Sequence, residues 1–166
     1  MAELLFYPIL VLLLILQMVI VRQLPLFNGT VDLLLLWLAS WGLQKQGKNV
    51  WFGAIFVILL MSFVSSLPWY VWTVTYLSVA IISRFMNRHF WQNPLIALIF
   101  VVFISSIIGM LAQMGVLIFH DSAINISQSI KYVIVPSVFL DLLLAIPVYV
   151  VVNDMAQWVY PIGKEE

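Results

Sequence analysis

The chain contains no cysteine, so disulfides and thiolate metal sites are excluded, although the compartment stays open. It is also poor in charge. Asp, Glu, Lys and Arg make up 8% of its 166 residues, against about 25% in an ordinary soluble domain. Linkers and low-complexity stretches are lacking, so nothing divides the chain and a single domain, 1–166, is expected. There are only two histidines, His89 and His120, and they fall in different predicted loops, where they make no joint metal site. No glycine-rich phosphate loop and no nucleophile beside a base is present. The loops are too short to build a soluble active site. Neither an enzyme nor a cofactor or metal centre is expected. Seven basic residues balance seven acidic ones, so net charge gives no sign of nucleic acid as a partner.

What is present is apolar. Hydrophobic residues account for 64% of the sequence, more than a soluble fold of this size can bury, since folded domains hide only part of their surface. The expected solvent is lipid. Crossing a hydrocarbon core of ~30 Å takes about 20 residues of helix at ~1.5 Å each. Six stretches suit that loosely: 4–21, 29–43, 50–67, 69–83, 95–119 and 132–152. The predicted fold class is therefore an all-α membrane protein with six transmembrane helices. The first stretch lacks the basic start and cleavage site of a signal peptide, so it reads as a retained helix. Pro25 and Pro68 end helices because proline removes an N–H donor and restricts the residue before it. Lys45, Lys48, Arg84, Arg88 and Lys164 fall on one side of these spans, and Arg22 and Lys131 on the other. The excess of basic residues marks the cytoplasmic side, which places both termini there.

Polar groups inside such spans are costly and are candidate functional positions. Asp141 is the tenth residue of the last span, where an acid costs roughly 2.5–3.5 kcal/mol on insertion scales. No Lys or Arg lies within any predicted span, so hydrogen bonding to Gln113, Gln17 or a hydroxyl is the economical answer. A proton or ligand role and a contact with a partner helix are the other readings. Asp32 lies three residues into its helix, within reach of the interface, and reads as an acid favoured by a helix N-terminus. Gln17, Asp32 and Gln113 share the predicted outer half and are expected to form one polar cluster. The aromatic turn Trp69, Tyr70 and Trp72, and the loop residues His120 and Asp121, are candidate partner contacts; interfacial anchoring is the plain alternative for the tryptophans. Two small-xxx-small patterns, Ser62–Ser66 and Ser105–Gly109, point to close packing of helices within the chain.

Pro25 followed by Gly29, Asp32 and the run Leu33–Gly42 resembles the second-helix region of the bacterial rod shape-determining protein MreD family. The segment from Trp51 through Ser65, Ser66, Leu67 and Pro68 is similar to that family's third helix and tight turn. The block from Val135 and Pro136 through Asp141 to Pro147 and Tyr149 is similar to its last helix. Three positions depart from the family: Ser62 stands where an acid is usual, Asp141 where an amide is common, and Trp69 and Tyr70 where a glycine tends to follow the proline. The resemblance implies a fold like that of the substrate-binding S subunits of energy-coupling-factor transporters. It also implies a non-enzymatic scaffold in the bacterial inner membrane. The implied partners are an MreC-like membrane protein, the MreB filament system, and RodA with a penicillin-binding protein 2 type synthase. The alternative reading is a substrate-binding membrane subunit of a vitamin-type transporter, with Gln17, Asp32 and Gln113 lining its pocket. The lack of Ala, Gly and Ser in Leu4–Val21 counts against that alternative.

Overall fold

The computed structural model describes residues 2–21, 30–44, 50–89, 93–119 and 130–159. Among them the fold is all-α, with no strand. Helix α1 (Ala2–Leu16) runs into a π turn, Gln17–Val21. Then come α2 (Leu33–Gly42), α3 (Val50–Val64), α4 (Trp69–His89) and α5 (Pro94–Phe119). A second π turn, Ile130–Ile134, leads into α6 (Val135–Val159).

The helices begin and end where local chemistry requires. Pro94 opens α5, at a position where its missing N–H costs nothing, and the carbonyl of Asn93 accepts the N–H of Ala97 at 3.3 Å. The α3–α4 turn is closed by side chain and backbone together. The Ser65 N–H donates to the Met61 carbonyl, the Leu67 N–H to Ser65 Oγ, and the Val71 N–H to the Pro68 carbonyl. Helix α4 outruns its sequence expectation by six residues, and Arg84 and Arg88 are helical rather than part of a loop. Nothing in Arg84–His89 breaks a helix, since Arg and Met are good helix formers.

Helix α2 differs most from expectation. It has ten residues and is ~15 Å long at helical rise. Thr30–Asp32 lead into it without helical structure. Every residue from Leu34 to Gly42 is buried, so α2 has no outward face. It packs against each of the other five helices, while α1, α3, α4, α5 and α6 follow one another around it. Two close approaches fix this arrangement. A Cβ on Gly42 would lie 2.8 Å from Ser83 Cβ on α4, and one on Gly109 of α5 would lie 2.8 Å from Thr75 Cγ2 of α4. A side chain at either position would press into its neighbour's, so Gly109 serves packing inside the chain.

The outer helices turn apolar side chains away from the core. Phe63 and Phe119 are 88% and 92% exposed, and Phe139, Leu143, Ile146 and Val150 form an exposed stripe at helical spacing on α6. Two helical stretches, Pro94–Phe119 and Ile130–Gln157, are long and apolar enough to cross a membrane.

Candidate functional site

An α-helix leaves its first backbone N–H groups without partners inside the helix. The start of α2 lies inside the bundle, so those donors need protein acceptors. Four acceptors found there are side chains, and three of them come from other parts of the chain. Thr30 N–H donates to Ser137 Oγ at 2.9 Å, and Asp32 N–H to Asp141 Oδ1 at 3.0 Å. Leu34 N–H donates to Gln17 Oε1 at 3.2 Å. Leu35 N–H donates to Asp32 Oδ1 at 3.0 Å, which makes Asp32 the N-cap of α2.

The two acids are then held from behind. Tyr76 of α4 donates its hydroxyl to Asp32 Oδ2 at 3.0 Å and lies 3.3 Å from Oδ1. Ser106 of α5 donates to Asp141 Oδ2 at 2.7 Å. Helical spacing brings these groups to common faces: Trp72, Thr75 and Tyr76 on α4, Ser106, Gly109 and Gln113 on α5, and Ser137 with Asp141 on α6. The ring of Trp72 stacks on that of Tyr76 with centroids 6.1 Å apart. Gln17 belongs to a π turn, a local widening often found where a helix does more than pack. A cavity of about 150 Å³ lies among these side chains, lined by Gln17, Thr30, Asp32, Trp72, Ser106, Gln113 and Asp141 with apolar neighbours.

The other end of α2 is also tied by side chains. Asn87 Nδ2 on α4 donates to the carbonyls of Gly42 and Gln44, both at 3.3 Å, and Gln44 Nε2 donates to Asn153 Oδ1 on α6 at 3.4 Å.

Several sequence expectations shift accordingly. Asp32 is an acid at a helix N-terminus as expected, the N-cap of α2, but it is half-buried and bound to Tyr76 rather than open to the interface. Asp32 and Asp141 are not separate questions, because the second carboxylate accepts the backbone N–H of the first residue. Gln17, Asp32 and Gln113 line one cavity, and Asp141 lines it too. Trp72 faces inward at 5% exposure and is no outer contact, while Trp69 and Tyr70 are exposed. His120 and Asp121 lie outside the described residues. Thr30, Tyr76, Ser106 and Ser137 were not singled out from the sequence. The spacing of four between Ser137 and Asp141 was a usable signal for one of them.

Among the described residues no group of three or more His, Asp or Glu side chains gathers to hold a metal ion. The arrangement is suited to terminating a buried helix, and its cavity keeps polar groups within a largely apolar bundle. A functional reading has to stand on this geometry and on the residues that form it, for no family model, no curated protein and no solved structure matches the chain.

Proposed function

We propose that this chain is a non-enzymatic scaffold of the bacterial inner membrane. In this reading its six helical segments cross the bilayer with both termini in the cytoplasm, in a fold similar to the S subunits of energy-coupling-factor transporters. It links an MreC-like protein and a RodA–penicillin-binding protein 2 type synthase to the MreB filament system during cell elongation. The observation that carries the reading is α2, buried on all sides and tied at both ends by side chains of α4 and α6. A post so fixed gives a rigid body, and what such a body offers is its outer faces. Those faces are apolar on the outer helices, as lipid or a partner's transmembrane helix requires. Helix α2 supplies ~15 Å of the ~30 Å that a hydrocarbon core requires, and the non-helical residues Thr30–Asp32 that lead into it add to that length. Irregular backbone at membrane depth is tolerated where protein surrounds it, and the side-chain acceptors at Thr30 and Asp32 meet that condition.

The polar cavity favours the second reading, a small-molecule transporter subunit. Its volume of about 150 Å³ is below the roughly 300–1,000 Å³ of pockets that enclose drug-sized ligands, which argues against a vitamin. Purification in mild detergent separates the two. Co-purification of an MreC-like, RodA-like or penicillin-binding partner is the expected result. A bound vitamin or an associated ATPase module, with no such partner, would overturn the scaffold reading.

A further inference from the structure

We propose that the cavity at the head of α2 binds a monovalent, oxygen-coordinated cation, with sodium the probe of choice. Buried carboxylates require compensation by charge as well as by hydrogen bonds. Asp141 is almost fully buried and Asp32 half-buried, and both line the same cavity. Each of their four oxygens has a hydrogen-bond donor: Asp32 N–H and Ser106 Oγ for Asp141, Leu35 N–H and Tyr76 Oη for Asp32. That is the pattern of acceptors, as carboxylates are when ionised, yet every donor is neutral. The remaining charged side chains described are Arg84 and Arg88 toward the far end of α4, Asp154 toward the far end of α6, and exposed Lys131. Arg84 stands about 12 Å beyond Tyr76 along the helix, so none of these cations completes the site.

The wall of the cavity supplies what a hard cation needs. Besides the carboxylates it presents the amides of Gln17 and Gln113 and the hydroxyls of Thr30 and Ser106, all oxygen ligands of the type that alkali and alkaline-earth ions select. Gln113 makes no hydrogen bond to another described residue, which leaves its carbonyl free to coordinate. Asp141 is the one carboxylate of the pair that is fully enclosed, so a single positive charge meets its need, while half-buried Asp32 keeps part of its solvation.

A separate observation points to an occupant. Trp72 lines the cavity, is 5% exposed, and its indole N–H meets no acceptor among the described residues. A buried donor left alone is costly. The cavity has room for an ion with coordinated water, and such a water supplies the oxygen that this N–H lacks. The site is independent of the scaffold reading, because nothing in it depends on a partner protein.

The test uses the full chain purified in mild detergent, with unfolding followed by tryptophan fluorescence on heating. Sodium chloride is titrated against choline chloride at constant ionic strength and pH. A ligand that binds only the folded chain raises the midpoint in a saturable way, and a rise of several degrees is expected. Asp141→Asn and Asp32→Asn should lose the response while keeping helical content and a monodisperse elution profile. Gln113→Leu, which breaks no described hydrogen bond, should shift the sodium dependence about tenfold to higher concentration, the effect of ~1.4 kcal/mol at 25 °C. Equilibrium dialysis with radioactive sodium should give one ion per chain, and less in Asp141→Asn. Equal midpoints in sodium and choline, a response that survives in Asp141→Asn, or stability that follows pH alone would each overturn the proposal. The last result would assign the missing positive charge to a proton.

Discussion

The decisive perturbation is at Asp141, where two substitutions separate hydrogen bonding from charge. Asp141→Leu removes the acceptors of Asp32 N–H at 3.0 Å and Ser106 Oγ at 2.7 Å. In the dry core of a water-soluble protein each orphaned donor costs about 1–3 kcal/mol. In a bilayer the unfolded reference state also finds partners, and measured interhelical bonds average about 0.6 kcal/mol, with a maximum near 1.7. The insertion scale works in the same direction. A leucine in an unpacked helix is favourable in lipid where an aspartate costs roughly 2.5–3.5 kcal/mol, so folding relieves the aspartate of a penalty that the leucine never bears. A loss of about 1–3 kcal/mol is therefore expected for Asp141→Leu on the measured scale for interhelical bonds. Asp141→Asn keeps an oxygen for Asp32 N–H and offers an N–H to Ser106 Oγ, whose hydroxyl turns to accept it. In sodium-free buffer it should lie within about 0.5 kcal/mol of the parent, the size of change ordinary at positions where no named interaction is lost. Reversible unfolding in mixed micelles of increasing SDS content, followed by far-UV circular dichroism, measures both. Asp141→Leu as stable as the parent, or Asp141→Asn as damaging as Asp141→Leu, would refute hydrogen bonding to α2 as the role of this residue.

Further tests address the rest of the frame. Tyr76→Phe removes the hydroxyl bound to Asp32 and should cost about 0.6–1.7 kcal/mol by the same unfolding assay, the measured range for one interhelical bond in a bilayer. Gly109→Ala puts a methyl 2.8 Å from Thr75 Cγ2, so overpacking of about 1–3 kcal/mol is expected, with part of it recovered when Thr75→Ser removes that methyl. Gly115→Ala meets nothing within 4 Å and should be neutral or gain up to about 1 kcal/mol from helix propensity. The natural absence of cysteine allows a direct test of the membrane arrangement. Ser66→Cys at the α3–α4 turn should react with an impermeant maleimide on intact spheroplasts, and Asp154→Cys near the end of α6 only after permeabilisation. Labelling of both from the same side would refute the proposed crossing of the outer helices.

The sequence was most legible where apolar runs meet helix-breaking residues. Pro68, Pro94 and the apolar stretches around them mark α3, α4 and α5 to within a few residues of their observed starts. It was least legible at α2, and the reason is physical. Hydropathy measures how well a residue tolerates lipid, and the inside of a helical bundle is nearly as apolar as lipid. Leu33–Gly42 therefore looks like a membrane-facing run although it is enclosed by five other helices. Depth along a span misled in the same way. Asp32 is close to the beginning of its apolar stretch and Asp141 at the middle of another, so counting residues assigns them different depths. The three non-helical residues before α2 place its start against α6, and the backbone of one acid comes to rest on the carboxylate of the other. A short apolar run that opens with an acid and no helical lead-in, facing two lone polar residues four apart on another helix, is the pattern by which such an enclosed helix can be told from a lipid-facing one. Ser137 and Asp141 are that pair here, since both accept backbone N–H groups from the segment leading into α2.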